Sequence, residues 1–148
     1  MSTPTYEGTT PVVSDIFIVP YHAAEDLDVQ KAVQFSAGTG FAFQVKATTG
    51  QVKQCCGITT TKASAGKKIS VACRGIVRAI TAGAIAVGDL VVPAANGKVQ
   101  ALADATSTDC NTSAGTATVV NNSRMIIAKA ISATSQDGDV VYLQLNVP

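Results

Sequence analysis

Residues 88–101 read Gly-Asp-Leu-Val-Val-Pro-Ala-Ala-Asn-Gly-Lys-Val-Gln-Ala, and this stretch decides the fold class. Leu90, Val91 and Val92 form a short apolar run that stops at Pro93. Asn96-Gly97 follows. Asn-Gly between apolar runs signals a tight hairpin turn, because a type I′ turn needs positive φ at both central residues. Residues 98–101 then supply the return strand. The habit of a turn glycine opening a strand recurs on both sides. Gly66-Lys67 leads into Ile69 and Val71, Gly88-Asp89 into Leu90 and Val92, and Gly138-Asp139 into Val141 and Leu143. The spacings differ and the intervening sequences are unlike, so this is not a solenoid repeat.

Further strand signals lie outward from there. Residues 16–19 are a β-branched run that stops at Pro20. Val33 and Phe35 alternate with polar residues, Phe41, Phe43 and Val45 with Ala42, Gln44 and Lys46, and Ile69, Val71 and Cys73 with Ser70, Ala72 and Arg74. Residues 76–80 form another run after Gly75. Residues 125–131 are almost continuously apolar, the pattern of a strand buried on both faces. Val141, Leu143, Leu145 and Val147 alternate strictly to the end. A period of two marks half-buried strands. It predicts a core of Phe41, Phe43, Ile69, Val71, Leu90, Val92, Ile127, Val141, Leu143 and Leu145. Helical spacing is thin, and residues 23–33 are expected to hold at most one short helix. Residues 1–14, with Pro4, Pro11 and Gly8, read as an extended arm. Residues 15–148 read as a single β domain with a polar loop at 104–123. The expected fold is all-β, a small β-barrel or a jelly-roll-like sandwich of short strands.

Composition narrows the function. The chain has 148 residues, 47% of them hydrophobic, and a formal charge of +1. Charged residues are 14%, against about 25% in an average domain. Nucleic-acid binding needs clustered Lys and Arg interleaved with aromatic rings, and neither pattern is present. No apolar run reaches the ~18 residues that would span a bilayer, and no secretory signal leads the chain, so synthesis in a host cytoplasm is expected. Cys55, Cys56, Cys73 and Cys110 lack Cys-x-x-Cys spacing and read as reduced, packed thiols. His22, the one histidine, has no partner motif for general base chemistry. Glu25, Asp26 and Asp28 cluster too loosely for a calcium loop and read as a solvated turn. Thr61 and Lys68 stand where a phosphate loop would need Gly and Ser or Thr. No metal, cofactor or enzymatic activity is expected.

The order of these motifs resembles the capsid cement, or head decoration, proteins of tailed bacteriophages. The resemblance runs from Gly57-Ile58 through Ile69-Ser70-Val71 and Gly75-Ile76-Val77 to residues 82–91. It continues in the hairpin of Asn96, Gly97, Lys98 and Val99, then in residues 127–130 and 137–141. Tyr6-Glu7-Gly8 is similar to a short element near the start of many members. The loop at 104–123 is longer than usual, and residues 21–30 look like an insertion. The resemblance implies a structural virion protein on the outer capsid surface, cementing neighbouring major capsid proteins. It implies Tyr6, Glu7 and Gly8 as capsid-binding residues, and self-association as a homotrimer or, alternatively, a homodimer. The competing expectation is a virion-displayed module for a host surface or glycan, with loop 104–123 as its site.

Overall fold

The computed structural model describes residues 16–37, 43–50, 52, 54–102 and 125–147. Its elements are nine strands: β1 (Phe17–Ala23), β2 (Ala32–Ser36), β3 (Gln44–Ala47), β4 (Cys55–Thr59), β5 (Lys68–Ala82), β6 (Leu90–Pro93), β7 (Val99–Ala101), β8 (Ala128–Ala130) and β9 (Asp137–Asn146). The fold is all-β, as the sequence predicts, and it is barrel-like. The strand order is β1-β3-β2-β4-β5-β7-β6-β8-β9, with β1–β5 and β5–β9 pairings in addition. Those two pairings close the sheet into two rings of five strands each. β5 belongs to both. Its first half pairs with β1 and β4, and its second half with β9 and β7.

The two rings follow one plan. In the first, β1 meets β3 in parallel at Ala23↔Val45, and in the second β5 meets β7 in parallel at Thr81↔Val99. Val33↔Ala47 matches Val91↔Ala101. Ile58↔Ala72 matches Lys129↔Gln144. Tyr21↔Ile69 matches Ala79↔Val141. Even the isolated bridges correspond, Leu27↔Ala63 with Ile85↔Thr134. The turn positions are therefore matched between the rings, Gln30 with Gly88 and Gly66 with Gly138. Gly66, Gly88 and Gly138 have φ of 82°, 89° and 89°, and Gln30 has 62°. Residues 21–30 are accordingly the first ring's counterpart of residues 79–88.

Each ring has its own core. Ala23, Leu27, Val33, Val45, Cys56, Ile69 and Val71 fill the first. Val77, Ala79, Ile85, Val91, Val99, Val141 and Leu143 fill the second, and that cluster extends to Ala32, Cys55, Ile58 and Ala72 on the outside of the first ring. Adjacent residues of a strand point to opposite faces. Cys55 and Cys56 thus enter different cores, and all of β4 is buried. Gly57 sits where β4 presses on β5: a Cβ there would overlap the carbonyl oxygen of Ala72.

Several expectations need correction. Ile69, Val71, Val92, Ile127, Val141, Leu143 and Leu145 are buried, but Phe43 is 75% and Leu90 44% exposed. Phe43 lies just ahead of β3, past the rim of its ring. Leu90 shares a face with Val92, and that face is covered only at Val92. Phe41 lies outside the described residues. A register shift between Val33 and Gln34 makes Cys56 an extra residue of β4, while β2 keeps unbroken register with β3; Gln34 is buried, and Phe35, opposite Val45, stays 49% exposed. β1 continues through Pro20, and β5 runs on through Gly75. Residues 23–33 hold no helix, because Leu27 bridges to Ala63 and β2 begins at Ala32. Within residues 125–131, β8 keeps only Ala128–Ala130, with Lys129 facing solvent.

Val71 and Leu143 are both fully buried, one in each ring. Changing either to Asp places an unpaired charge in a closed core. Each should cost about 4 kcal/mol or more, comparable with the whole stability of a small domain. Thermal melts check this, and wild-type melting of both variants would overturn the core assignment.

Candidate functional site

The side chains that could carry chemistry are engaged in the architecture. His22 lies in β1 opposite Lys68 and Gln44. Glu25 Oε1 accepts a hydrogen bond from Ala47 N at 2.9 Å, Asp26 Oδ1 one from Ala65 N at 2.9 Å, and Asp28 Oδ1 one from Val29 N at 2.8 Å. These carboxylates tie down turns, which explains their clustering in sequence. Among the described residues no group of three or more His, Cys, Asp or Glu side chains is placed to hold a metal ion. Burial pushes the Cys55 thiol up to about 12 and raises Cys56 and Cys73 as well. The thiolate is the nucleophile, so these three are packing groups and not reactive centres.

The Asn96-Gly97 hairpin has a place that the sequence does not indicate. Asn96 has φ 60° and Gly97 φ 71°, and Lys98 N donates to Ala95 O at 3.3 Å to close the turn. The tip does not project into solvent; it docks on the first ring. Ala32 N donates to Gly97 O at 2.7 Å, and Gly97 N donates to Thr48 O at 3.2 Å. Thr48 Oγ1 donates to Ala94 O at 2.6 Å, and Lys31 Nζ to Asn96 O at 3.2 Å. Lys98 Nζ also pairs with Asp137 Oδ1 at 2.8 Å, fastening the hairpin to β9. The hairpin is a clasp between the rings. Tyr6, Glu7 and Gly8 lie outside the described residues.

The remaining candidate is the outer surface. Exposed apolar side chains fall on both rings: Phe17, Ile18, Phe35 and Phe43 on the first, and Leu90, Ile131, Val140 and Tyr142 on the second. Tyr21 and Phe35 meet edge to face, with ring centroids 5.8 Å apart. A groove of about 680 Å³ runs along the outside of the second ring, with Ile76, Leu90 and Ile126 in its lining and Arg74, Lys129 and Gln144 beside them. Apolar residues spread over a rigid scaffold suit contact with other proteins.

The family model for phage cement proteins matches residues 14–145. This chain belongs to the phage cement protein family. That makes it a capsid-associated structural protein of a phage virion, in a family that is not enzymatic. No curated protein sequence matches the chain. Among solved structures, the N base of the head fiber gp8.5 of bacteriophage phi29 is similar in fold. Its TM-score is 0.62 at 12% sequence identity, and the match covers 89% of this cement protein and 95% of that chain. The signal that sequence reasoning missed was the common plan of the two rings, because Gln30 stands in the first where the second has the turn glycine Gly88.

Replacing Gly97 by Val tests the clasp. A Cβ at Gly97 would lie 2.9 Å from Lys31 Cδ and 3.2 Å from Ala32 O, and a β-branched residue resists positive φ. The expected loss is about 1 kcal/mol or more, with Gly97→Ala less affected than Gly97→Val. Denaturant melts of the two variants check it.

Proposed function

We propose that this protein binds the outer surface of a phage head and cements neighbouring major capsid proteins, acting as a homotrimer. The observation that carries this reading is the family match over residues 14–145. The physical design agrees with it. A cement needs rigidity, broad contact and no reactive group. Every described strand has two neighbours in its ring, which limits the strand edge left to template aggregation of the unbound protein.

In this reading residues 1–14 are a reaching arm ahead of a single β domain, and Tyr6, Glu7 and Gly8 contact the capsid. Pro4 and Pro11 fix φ and disfavour helix at Thr3 and Thr10. An already extended segment loses less entropy when it docks. It can add a strand to an open sheet edge on the capsid protein, with main-chain hydrogen bonds supplying affinity.

Co-sedimentation with heads purified without this protein tests the proposal. Binding to heads, together with heads that resist heat rupture better when decorated, is the expected outcome. Failure to bind heads sinks it, and attachment to host cells or glycans without heads would establish the displayed-module alternative. Deleting residues 2–10 should leave the melting temperature of unbound protein nearly unchanged and weaken head binding at least about tenfold. Full binding by the truncated protein would remove the arm from the mechanism.

A further inference from the structure

The chain holds one Asn-Gly pair, Asn96-Gly97, and it forms the tip of the clasp. Asn-Gly is the dipeptide whose side-chain amide is most open to attack by its own backbone, because glycine has no Cβ to screen its nitrogen. Gly97 N attacks Asn96 Cγ. The Cγ–Nδ2 bond breaks, and the amide leaves as ammonia with the proton that Gly97 N gave up. Water then opens the five-membered imide at either carbonyl. One opening gives aspartate on the original backbone. The other gives isoaspartate, whose main chain runs through the former side chain. These steps need water and no other reactant, and Asn96 is exposed.

The clasp opposes the first step. In the imide the new Cγ–N bond stands where the N–H bond stood, so Cγ must come to the place at which the Gly97 proton points. In the clasp Thr48 O is at that place, 3.2 Å from Gly97 N. The other side of the same peptide plane is held as well, since Lys31 Nζ donates to Asn96 O at 3.2 Å. Gly97 O accepts from Ala32 N at 2.7 Å, and Gly97 is buried against the first ring. Turning the peptide plane toward Cγ therefore means lifting the tip off. The product cannot dock as before. The imide has no N–H for Thr48 O, and isoaspartate adds a main-chain carbon ahead of Gly97, inside the turn that Lys98 N and Ala95 O close at 3.3 Å.

We propose that Asn96 is a site of spontaneous deamidation which docking of the hairpin on the first ring holds off, and that isoaspartate formed there releases the clasp for good. The joint between the rings protects itself while closed and limits its own lifetime once open. The chemistry belongs to the chain alone and is independent of the cementing role.

Peptide mapping by mass spectrometry follows Asn96 in full-length protein kept at mildly alkaline pH, with Asn146, which precedes the β-branched Val147, as the internal reference. Unfolded in guanidinium chloride, the chain should deamidate at Asn96. Folded, it should do so at least about tenfold more slowly, because only molecules with the tip lifted react. Thr48→Val removes the hydrogen bond from Thr48 Oγ1 to Ala94 O, and Lys31→Ala frees Asn96 O. Each should speed deamidation in step with amide hydrogen exchange at Ala32 and Gly97, so either variant suffices if the other fails to fold. The isoaspartate form, separated by ion exchange from aged protein, should melt lower and exchange freely at Ala32. Asn96→Gly keeps a turn with positive φ and should age unchanged. Equal rates in folded and unfolded wild type would overturn the proposal. So would variants that exchange faster at Ala32 yet deamidate at the wild-type rate, or an isoaspartate form with wild-type melting and exchange.

Discussion

β5 pairs with four strands, β1 and β4 over its first half and β9 and β7 over its second, and the rest of the molecule hangs on that constraint. Through Ile69 and Val71 it closes the first ring, and through Val77, Ala79 and Thr81 it closes the second. A strand shared by two rings fixes their separation and their relative rotation. The Asn96-Gly97 clasp then locks what β5 has set, through main-chain hydrogen bonds to Ala32 and Thr48. Neither ring can turn against the other without breaking both.

The shared strand also explains an asymmetry between rings of the same plan. The outer face of β4 and the first half of β5 lies against the second ring, so Cys55, Ile58 and Ala72 are buried there. The equivalent positions around β8 and β9 face outward and include Lys129 and Gln144. Composition follows coverage: apolar where the neighbour ring packs, and polar or mixed where it does not. The sequences of the halves differ with that environment, while the pairing pattern is common to both.

A protein of this construction is chemically quiet. Its carboxylates hold turns, and three of its thiols sit with raised pKa in or beside packed cores. What it offers is shape: two stiff rings, apolar side chains on their outsides, and an N-terminal segment of low apolar content. Those are the attributes of a structural virion component, in line with its membership of the phage cement protein family.

The sequence by itself determined the all-β class, most of the core of β5 and β9, and the poverty of catalytic groups. Alternation such as Val141, Leu143 and Leu145 is a local signal, and strand geometry converts it directly into one buried face. Tertiary structure decided which alternating faces are covered. Leu90 and Val92 are indistinguishable by periodicity, yet only Val92 has something packed over it. Gln34 is buried, accepting a hydrogen bond from Thr49 N, while Phe35, paired with buried Val45, stays half exposed. Pro20 and Gly75 look like strand ends in sequence but lie within β1 and β5, since pairing at Pro20↔Ser70 and Gly75↔Leu145 carries the strands through them. The common plan of the rings was hidden for the same reason: Gln30 takes the positive φ that Gly88 takes in the second ring, and only long-range pairing, which no local spacing encodes, shows the two positions to match.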